Sequence, residues 1–379
     1  MNIYVEHKND GLKEILEKLL DEAGIQVNGD KPYDIQVHND DFYNRILQQG
    51  SLGLGESYMD GWWDCDRLDI LFYKILRAKL DKKIPYNLKD IIRIAISRIQ
   101  NLQTQKRAWQ VGEEHYDLGN DLFNHMLDPY MQYSCAYWKN ADNLFQAQQQ
   151  KLDLICRKLD LQPGMRLLDI GCGWGGLAEY AAKNYQVSVV GITISKEQQK
   201  LAVERCKGLD VEILLMDYRN LNERFDRIAS IGMFEHVGLK NYDTYFQVVQ
   251  RNLNADGLFL LHTIGSNTIR KGADPWITKY IFPNGYIPSI EKIAHFSSGK
   301  FIMEDWHNFG TDYDLTLRAW SERFLQAWPE IEANYSARFK RMFNYYLNAC
   351  AGAFRARELQ LWQIVFSPNG LEGEVRIAR

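Results

Sequence analysis

The chain has 379 residues, 46% of them apolar and 25% charged, with a net charge of −4. That is the composition of a soluble globular protein with room for one large and one small domain, and the mild acidity argues against a nucleic-acid-coating surface. The six cysteines (65, 135, 156, 172, 206 and 350) lack CxxC spacing, so neither a disulfide framework nor a zinc site is expected, and no metal cluster with sensible ligand spacing is visible.

The first residues, MNIYVEHKND, are charged at once and carry no signal-peptide core, and no stretch reaches the ~18 apolar residues of a spanning helix. A cytoplasmic protein that meets membranes only from outside is expected. Residues 9–80 read as helices and short strands, with GSLGLGESYMDGWWDCD (50–66) turning sharply between them. Residues 1–80 are therefore assigned to a small N-terminal α+β domain. From Lys79 to Arg107, eight basic residues (Lys79, Lys82, Lys83, Lys89, Arg93, Arg98, Lys106, Arg107) face two acids, with Ile92, Ile96 and Ile99 at helical spacing. This basic amphipathic connector, residues 81–109, serves either as a linker with a solvated face or as an adsorption surface for anionic lipid, and the two are compatible.

Residues 110–379 follow a different rule. MRLLDIG (165–171), VSVVGIT (187–193), VEILLMD (211–217), FDRIASIG (225–232) and GLFLLHTIG (257–265) are continuous apolar runs separated by helix-length connections. Such runs are the pattern of parallel strands buried on both faces of a doubly wound α/β sheet. FIMEDWHNFG (301–310) and LQLWQIVFS (359–367) are expected to close it as antiparallel edge strands, with a long helix over 330–357.

LLDIGCGWGG (167–176) joins a strand to a helix through glycines that permit a tight turn and close approach of a ligand. A glycine-rich turn alone is weak evidence, since dinucleotide enzymes use a similar one. Glu235 and His236 follow the fourth strand, and His262 and Ile264 end the fifth, at the sheet edge where such folds bind ligands.

LDIGCGWGG resembles motif I of the S-adenosylmethionine-dependent methyltransferases, although GITIS places Thr193 where a ribose-binding acid is common. HYDLGNDLF (115–123), MQYSCAYW (131–138), GITISKEQ (191–198) and GMFEHVG (232–238) together resemble a narrower group, the cyclopropane-fatty-acyl-phospholipid synthases and mycolic acid cyclopropane synthases. DPWITKYIFPNG, MEDWHNFG and YYLNACAGAFRAR extend the resemblance over nearly the whole chain, in its longer phospholipid-synthase form. Several motifs in register are far more specific than one loop.

The resemblance implies a seven-stranded, mostly parallel sheet of the class I methyltransferase type in 110–379. It implies methylene transfer from S-adenosylmethionine to the cis double bond of an unsaturated phospholipid acyl chain, giving a cyclopropane. Matched positions assign cofactor contacts to Tyr133, Ser134, Asp169, Gly171, Gly173, Thr193, Gln198, Asp217 and Tyr218. A bicarbonate ion acting as base would be held by Cys135, Glu235, His262, Tyr313 and, through its backbone, Ile264. Cys350 matches a cysteine sometimes assigned as catalytic. A thiolate beside a sulfonium methyl risks methylation, so Cys350 is read as pocket wall or a secondary contributor, and His236 as structural. Tyr137, Trp138, Tyr280, Phe309 and Tyr313 are available to line an acyl tunnel, with core packing as the ordinary alternative. A homodimer peripherally bound to the inner face of the membrane is also implied. Simple C-methylation of a lipid, or a catalytically dead lipid-binding fold, are the competing readings, and a nucleic-acid methyltransferase fits the charge poorly.

Overall fold

The computed structural model describes residues 3–83, 120–269, 272–373 and 377–379. Most of the basic connector and of the HYDLGNDLF motif lies outside them. The chain divides into two compact units: one from the described parts of 1–100, 271–283 and 317–358, the other from those of 101–270, 284–316 and 359–379. The first unit thus gathers two segments from the C-terminal half of the sequence alongside the N-terminal residues.

The first unit contains α1 (Ile3–Asp21), α2 (Asp41–Gln49), α3 (Ser51–Met59) and α4 (Leu68–Arg77) and a two-stranded antiparallel ribbon, β1 (Gln36–Val37) with β2 (Trp63–Asp64). The expected turn across GSLGLGESYM is instead helix α3. Glycine is unfavourable inside a helix, but a Cβ on Gly53 would stand 2.4 Å from the Arg45 carbonyl oxygen, and one on Gly55 2.3 Å from the Trp276 ring. Packing, not a turn, demands glycine there. Glu56 on the same helix accepts from Arg45, Lys279 and the Tyr280 hydroxyl, and these donors hold its carboxyl below the usual range against the opposing effect of burial.

The second unit contains α5 (Asn120–Met126), α6 (Leu144–Lys158), α7 (Gly176–Tyr185), α8 (Lys196–Arg205), α9 (Tyr242–Asn252) and α11 (Ile290–Ser297), while α10 (Pro275–Tyr280) and α13 (Ala337–Arg355) belong to the first. Helix α12 (Thr311–Ile331) begins in the second unit and ends in the first. The long helix expected over 330–357 starts at Ala337, where Ser336 caps it by accepting from the Phe339 amide. Pro329 lies in the last turn of α12, and a 3₁₀ turn over Glu332–Asn334 separates the two helices.

All seven expected strands are present: β3 (Arg166–Ile170), β4 (Ser188–Thr193), β5 (Val211–Leu215), β6 (Phe225–Ile231), β7 (Leu253–Gly265), β8 (Ile302–Asn308) and β9 (Gln360–Ser367). Their order is β5-β4-β3-β6-β7-β9-β8, parallel from β5 to β7 and antiparallel thereafter. Of the two antiparallel strands only β8 is an edge, opposite β5 at the other side of the sheet. Strand β9 inserts between β7 and β8, and every one of its residues is buried, which is why LQLWQIVFS is so continuously apolar. Leu168, Ile170, Ile228, Phe259 and Phe366 lie in one core layer of the sheet and Leu167, Val189, Ala229, Leu260 and Val365 in another. No described helix is long and apolar enough to cross a membrane.

Candidate active site

The C-terminal ends of β3, β4 and β5 form the first half of the site. Gly171 and Gly173 follow β3 with φ of 83° and 53°, the left-handed region where a side chain is strained. The turn is fixed because the Gly171 and Cys172 amides both donate to the Ile192 carbonyl on β4. A Cβ on Gly173 would meet nothing within 4 Å, so its backbone faces open space, whereas Gly176 could bear none, with the Tyr130 carbonyl 2.1 Å away. Asp169, at the end of β3, is fully buried; burial lifts its carboxyl to about 7, opposed by the Lys151 ammonium.

At the end of β4, the Thr193 hydroxyl donates to Gln198 Oε1 at 2.8 Å, and Ser195 caps α8. The sequence motif thus builds a neutral hydroxyl–amide pair where an acid is common. Asp217, just past β5, is committed to Arg219, whose guanidinium grips both carboxylate oxygens at 2.8 and 2.7 Å. The same guanidinium covers the Tyr218 ring at 5.4 Å.

The segment 133–138 runs alongside. Tyr133 meets Phe123 edge-on at 5.1 Å, and Phe123 in turn meets Trp174 of the glycine loop at the same separation. The Ser134 hydroxyl accepts from the wholly buried Lys151 ammonium at 2.9 Å, while the Gln148 amide donates to the Ser134 carbonyl. Lys151 also donates to Gln132, and burial lowers its own pKa to about 8. Neither Lys151 nor Gln148 stood out in the sequence: they sit among other polar residues along α6, and only the fold turns them toward the site.

The second half assembles at the ends of β6 and β7. Glu235 sits in the 3₁₀ turn Phe234–His236, and its Oε1 accepts the Ile264 amide at 2.7 Å. Its Oε2 is buried with no hydrogen-bond partner among the described residues, and the same holds for Nε2 of His262. Burial raises the Glu235 carboxyl to about 7, with the Ile264 amide pulling the other way. Burial also pushes the His262 imidazole well below its usual value, and the Lys151 and Lys158 charges add to that, so the ring is neutral.

Cys135, Tyr137, Leu154, Phe309 and Leu361 form one buried cluster against which Ile264 and Tyr313 pack. It is closed by Trp138, whose amide donates to Asp312 at 2.7 Å and whose indole donates to Thr316 at 2.9 Å, tying 133–138 to the start of α12. The Phe309 ring meets both Tyr137 and His262, at 5.2 and 6.0 Å. The Cys135 thiol is wholly buried, donates to the Ala136 carbonyl at 3.2 Å and is pushed well above its usual pKa by burial. Cys135, Ile264 and Tyr313 thus share one cluster, which Glu235 joins through the Ile264 amide and His262 through the Phe309 ring. Cys350 and Tyr280 belong to the other compact unit, the former half-buried, with desolvation raising its thiol to about 12.

A family model described as mycolic acid cyclopropane synthetase matches residues 103–364. The chain is 68% identical over 371 residues to the cyclopropane-fatty-acyl-phospholipid synthase of Escherichia coli (strain K12), covering 98% of this chain and 97% of that one. It is 35% identical to cyclopropane mycolic acid synthase 2 of Mycobacterium leprae, over 66% of this chain and 91% of that one. Among solved structures, the cyclopropane synthase MmaA2 of Mycobacterium tuberculosis superposes with a TM-score of 0.66 at 34% identity, covering 70% of this chain and 99% of that one. The mycolic acid cyclopropane synthase CmaA1 complexed with SAH and CTAB gives 0.64 at 35%, covering 68% and 97%. The glycine loop, the sheet order and these matches agree: the chain belongs to the mycolic acid cyclopropane synthetase family, as an S-adenosylmethionine-dependent enzyme of the cyclopropane-fatty-acyl-phospholipid synthase kind.

Proposed function

We propose that the protein adds a methylene group from S-adenosylmethionine across the cis double bond of an unsaturated phospholipid acyl chain, with bicarbonate held beside the reacting carbon. The observation that carries this is the convergence of Cys135, Glu235, His262, Ile264 and Tyr313, with two buried polar atoms, Glu235 Oε2 and His262 Nε2, lacking partners among the described residues. Buried polar atoms are normally satisfied, so such a pair suits a small polar guest.

The donor set fits a trigonal oxyanion: a neutral imidazole, a carboxyl that near pH 7 is about half protonated, and the nearby positive charges of Lys151 and Lys158. Bound there, the ion would supply a base that S-adenosylmethionine does not alkylate readily. The cofactor would lie over Gly171 and Gly173, its ribose hydroxyls bonded by Thr193 and Gln198, with Tyr133, Ser134, Asp169, Asp217 and Tyr218 around it. When bound it supplies an electrophilic methyl.

An isolated alkene is a feeble nucleophile, so the protein's task is to exclude water and steady positive charge on the lipid. Tyr137, Phe309 and Tyr313 supply electron-rich faces and a dry wall. Glu235 orients the anion through one oxygen while the other stays tied to Ile264, and His262 and Tyr313 complete its hold. Residues 1–80 and the basic connector 81–109 present the bilayer's chain to 110–379 from the inner face of the membrane, in a homodimer; connector charge and the family resemblance support this part.

The deciding experiment incubates the purified protein with S-adenosylmethionine and unsaturated phospholipid vesicles and analyses the fatty acids by mass and proton resonance. A gain of one CH₂ with loss of the olefinic signal is expected. Retained unsaturation with the same mass gain would mean C-methylation without ring closure and would refute the proposal.

A further inference from the structure

Gln363 is wholly buried in β9, directly opposite His262 on β7 and His307 on β8 in the two antiparallel pairings. Its side-chain amide Nε2 stands 3.3 Å from His262 Nδ1. With the amide in this orientation, which leaves Gln363 Oε1 without a partner among the described residues, the amide Nε2 donates and Nδ1 accepts, and a neutral imidazole that accepts on Nδ1 carries its proton on Nε2. That Nε2 is the atom without a partner among the described residues.

We propose that Gln363 is a positioning residue that fixes His262 as the Nε2–H tautomer, so that the ring offers a hydrogen-bond donor to the anion beside Glu235. The inference rests on the anion reading of this site. A bare imidazole leaves the choice of tautomer open, and the opposite one would turn a lone pair toward a negatively charged guest. Strand register supplies the restraint: the β7–β9 pairing sets Gln363 level with the ring, and the flanking Phe309 contact limits its rotation. The neighbouring His307 is held in the same manner, with the buried Lys158 ammonium 3.1 Å from its Nδ1. Burial and the two lysine charges that keep His262 neutral make the tautomer, and not a second proton, the variable that matters.

The test uses full-length protein labelled with ¹⁵N-histidine, with His262→Asn to assign the resonance. Long-range proton–nitrogen correlation spectra should show a pyrrole-type Nε2 and an imine-type Nδ1 for His262. Addition of ¹³C-bicarbonate should then move the Nε2 proton downfield. In Gln363→Glu, whose carboxylate accepts where the amide donated, the proton should pass to Nδ1. The bicarbonate-dependent shift should vanish, and bicarbonate should bind about tenfold more weakly or worse. Charge alone would weaken binding without moving the proton between nitrogens, so the tautomer decides. An Nδ1–H pattern in the wild type, or an unchanged tautomer in the variant, overturns the proposal. Wild-type protein that shows the Nε2–H tautomer but leaves the ¹³C-bicarbonate signal unbroadened overturns the anion reading itself, and the donor role with it. The wild-type spectrum suffices even if the variant fails to fold.

Discussion

Replacing Glu235 by glutamine should make the protein more stable and much less active, and the two effects should separate with pH. Oε2 of the carboxyl is buried although the residue as a whole is only half-buried, and the pKa is raised from the usual 4.5 to about 7, chiefly by desolvation. A raised carboxyl pKa means that folding favours the neutral form: the stability is fully present below the unfolded value and is lost as pH rises through the folded one. At about 1.4 kcal/mol per pH unit, the ionised carboxylate costs the native state about 3 kcal/mol once the pH exceeds 7. Glutamine matches the protonated acid in shape and keeps an oxygen for the Ile264 amide. Denaturant unfolding of both proteins should therefore agree near pH 4 and diverge to about 3 kcal/mol in favour of Glu235→Gln by pH 8, while turnover falls by about 10²–10³-fold as expected for loss of a group that orients the anion. A stability difference independent of pH, or a variant weaker than wild type at pH 8, would refute the argument that burial sets this carboxyl's behaviour.

Thr193→Val removes the hydroxyl that donates to Gln198, so the KM for S-adenosylmethionine should rise about tenfold with kcat nearly unchanged in steady-state assays. Gly171→Ala forces a side chain into φ of 83° with Met233 2.9 Å from the new Cβ; calorimetric binding of the cofactor should be lost, with destabilisation of about 1–3 kcal/mol by thermal unfolding. Cys350→Ser should retain activity to within about tenfold, because a thiol pushed up to about 12 is not a thiolate at neutral pH; loss as complete as for Glu235→Gln would make it essential. Neutralising Lys89, Arg93 and Arg98 of the connector to glutamine should weaken co-sedimentation with anionic vesicles about a hundredfold, at roughly 1 kcal/mol per charge, and raising the salt should erase the difference.

The sequence alone determined the class of fold and the enzyme family. Five continuous apolar runs yielded the parallel strands β3 to β7, because a strand buried on both faces must be apolar, and that requirement is written locally. LDIGCGWGG was legible for the same reason, since its positive φ angles restrict those positions to glycine almost regardless of context. The resemblance named Cys135, Glu235, His262, Ile264 and Tyr313; the fold packs Ile264 and Tyr313 on the Cys135 cluster, ties Glu235 to the Ile264 amide and sets His262 against Phe309, and their roles toward an anion are the proposal.

Only the tertiary structure decided the rest. Gly53 and Gly55 look like turn residues in sequence, yet they belong to a helix whose neighbours, the Arg45 carbonyl and Trp276, leave no space for a Cβ. Strand β9 looked like an edge but is interior, because its two antiparallel partners come from distant parts of the chain. The grouping of 271–283 and 317–358 with the N-terminal residues is likewise set by contacts far apart in sequence. Gln363 and Lys151 are polar residues buried in a strand and a helix, and what they do depends on which side chain a neighbouring element places opposite them. Periodicity and turn chemistry act over a few residues and can be read along a line. Register between strands, the burial of a charge and the pKa that follows from it are properties of the space between lines, and they exist only once the chain has folded.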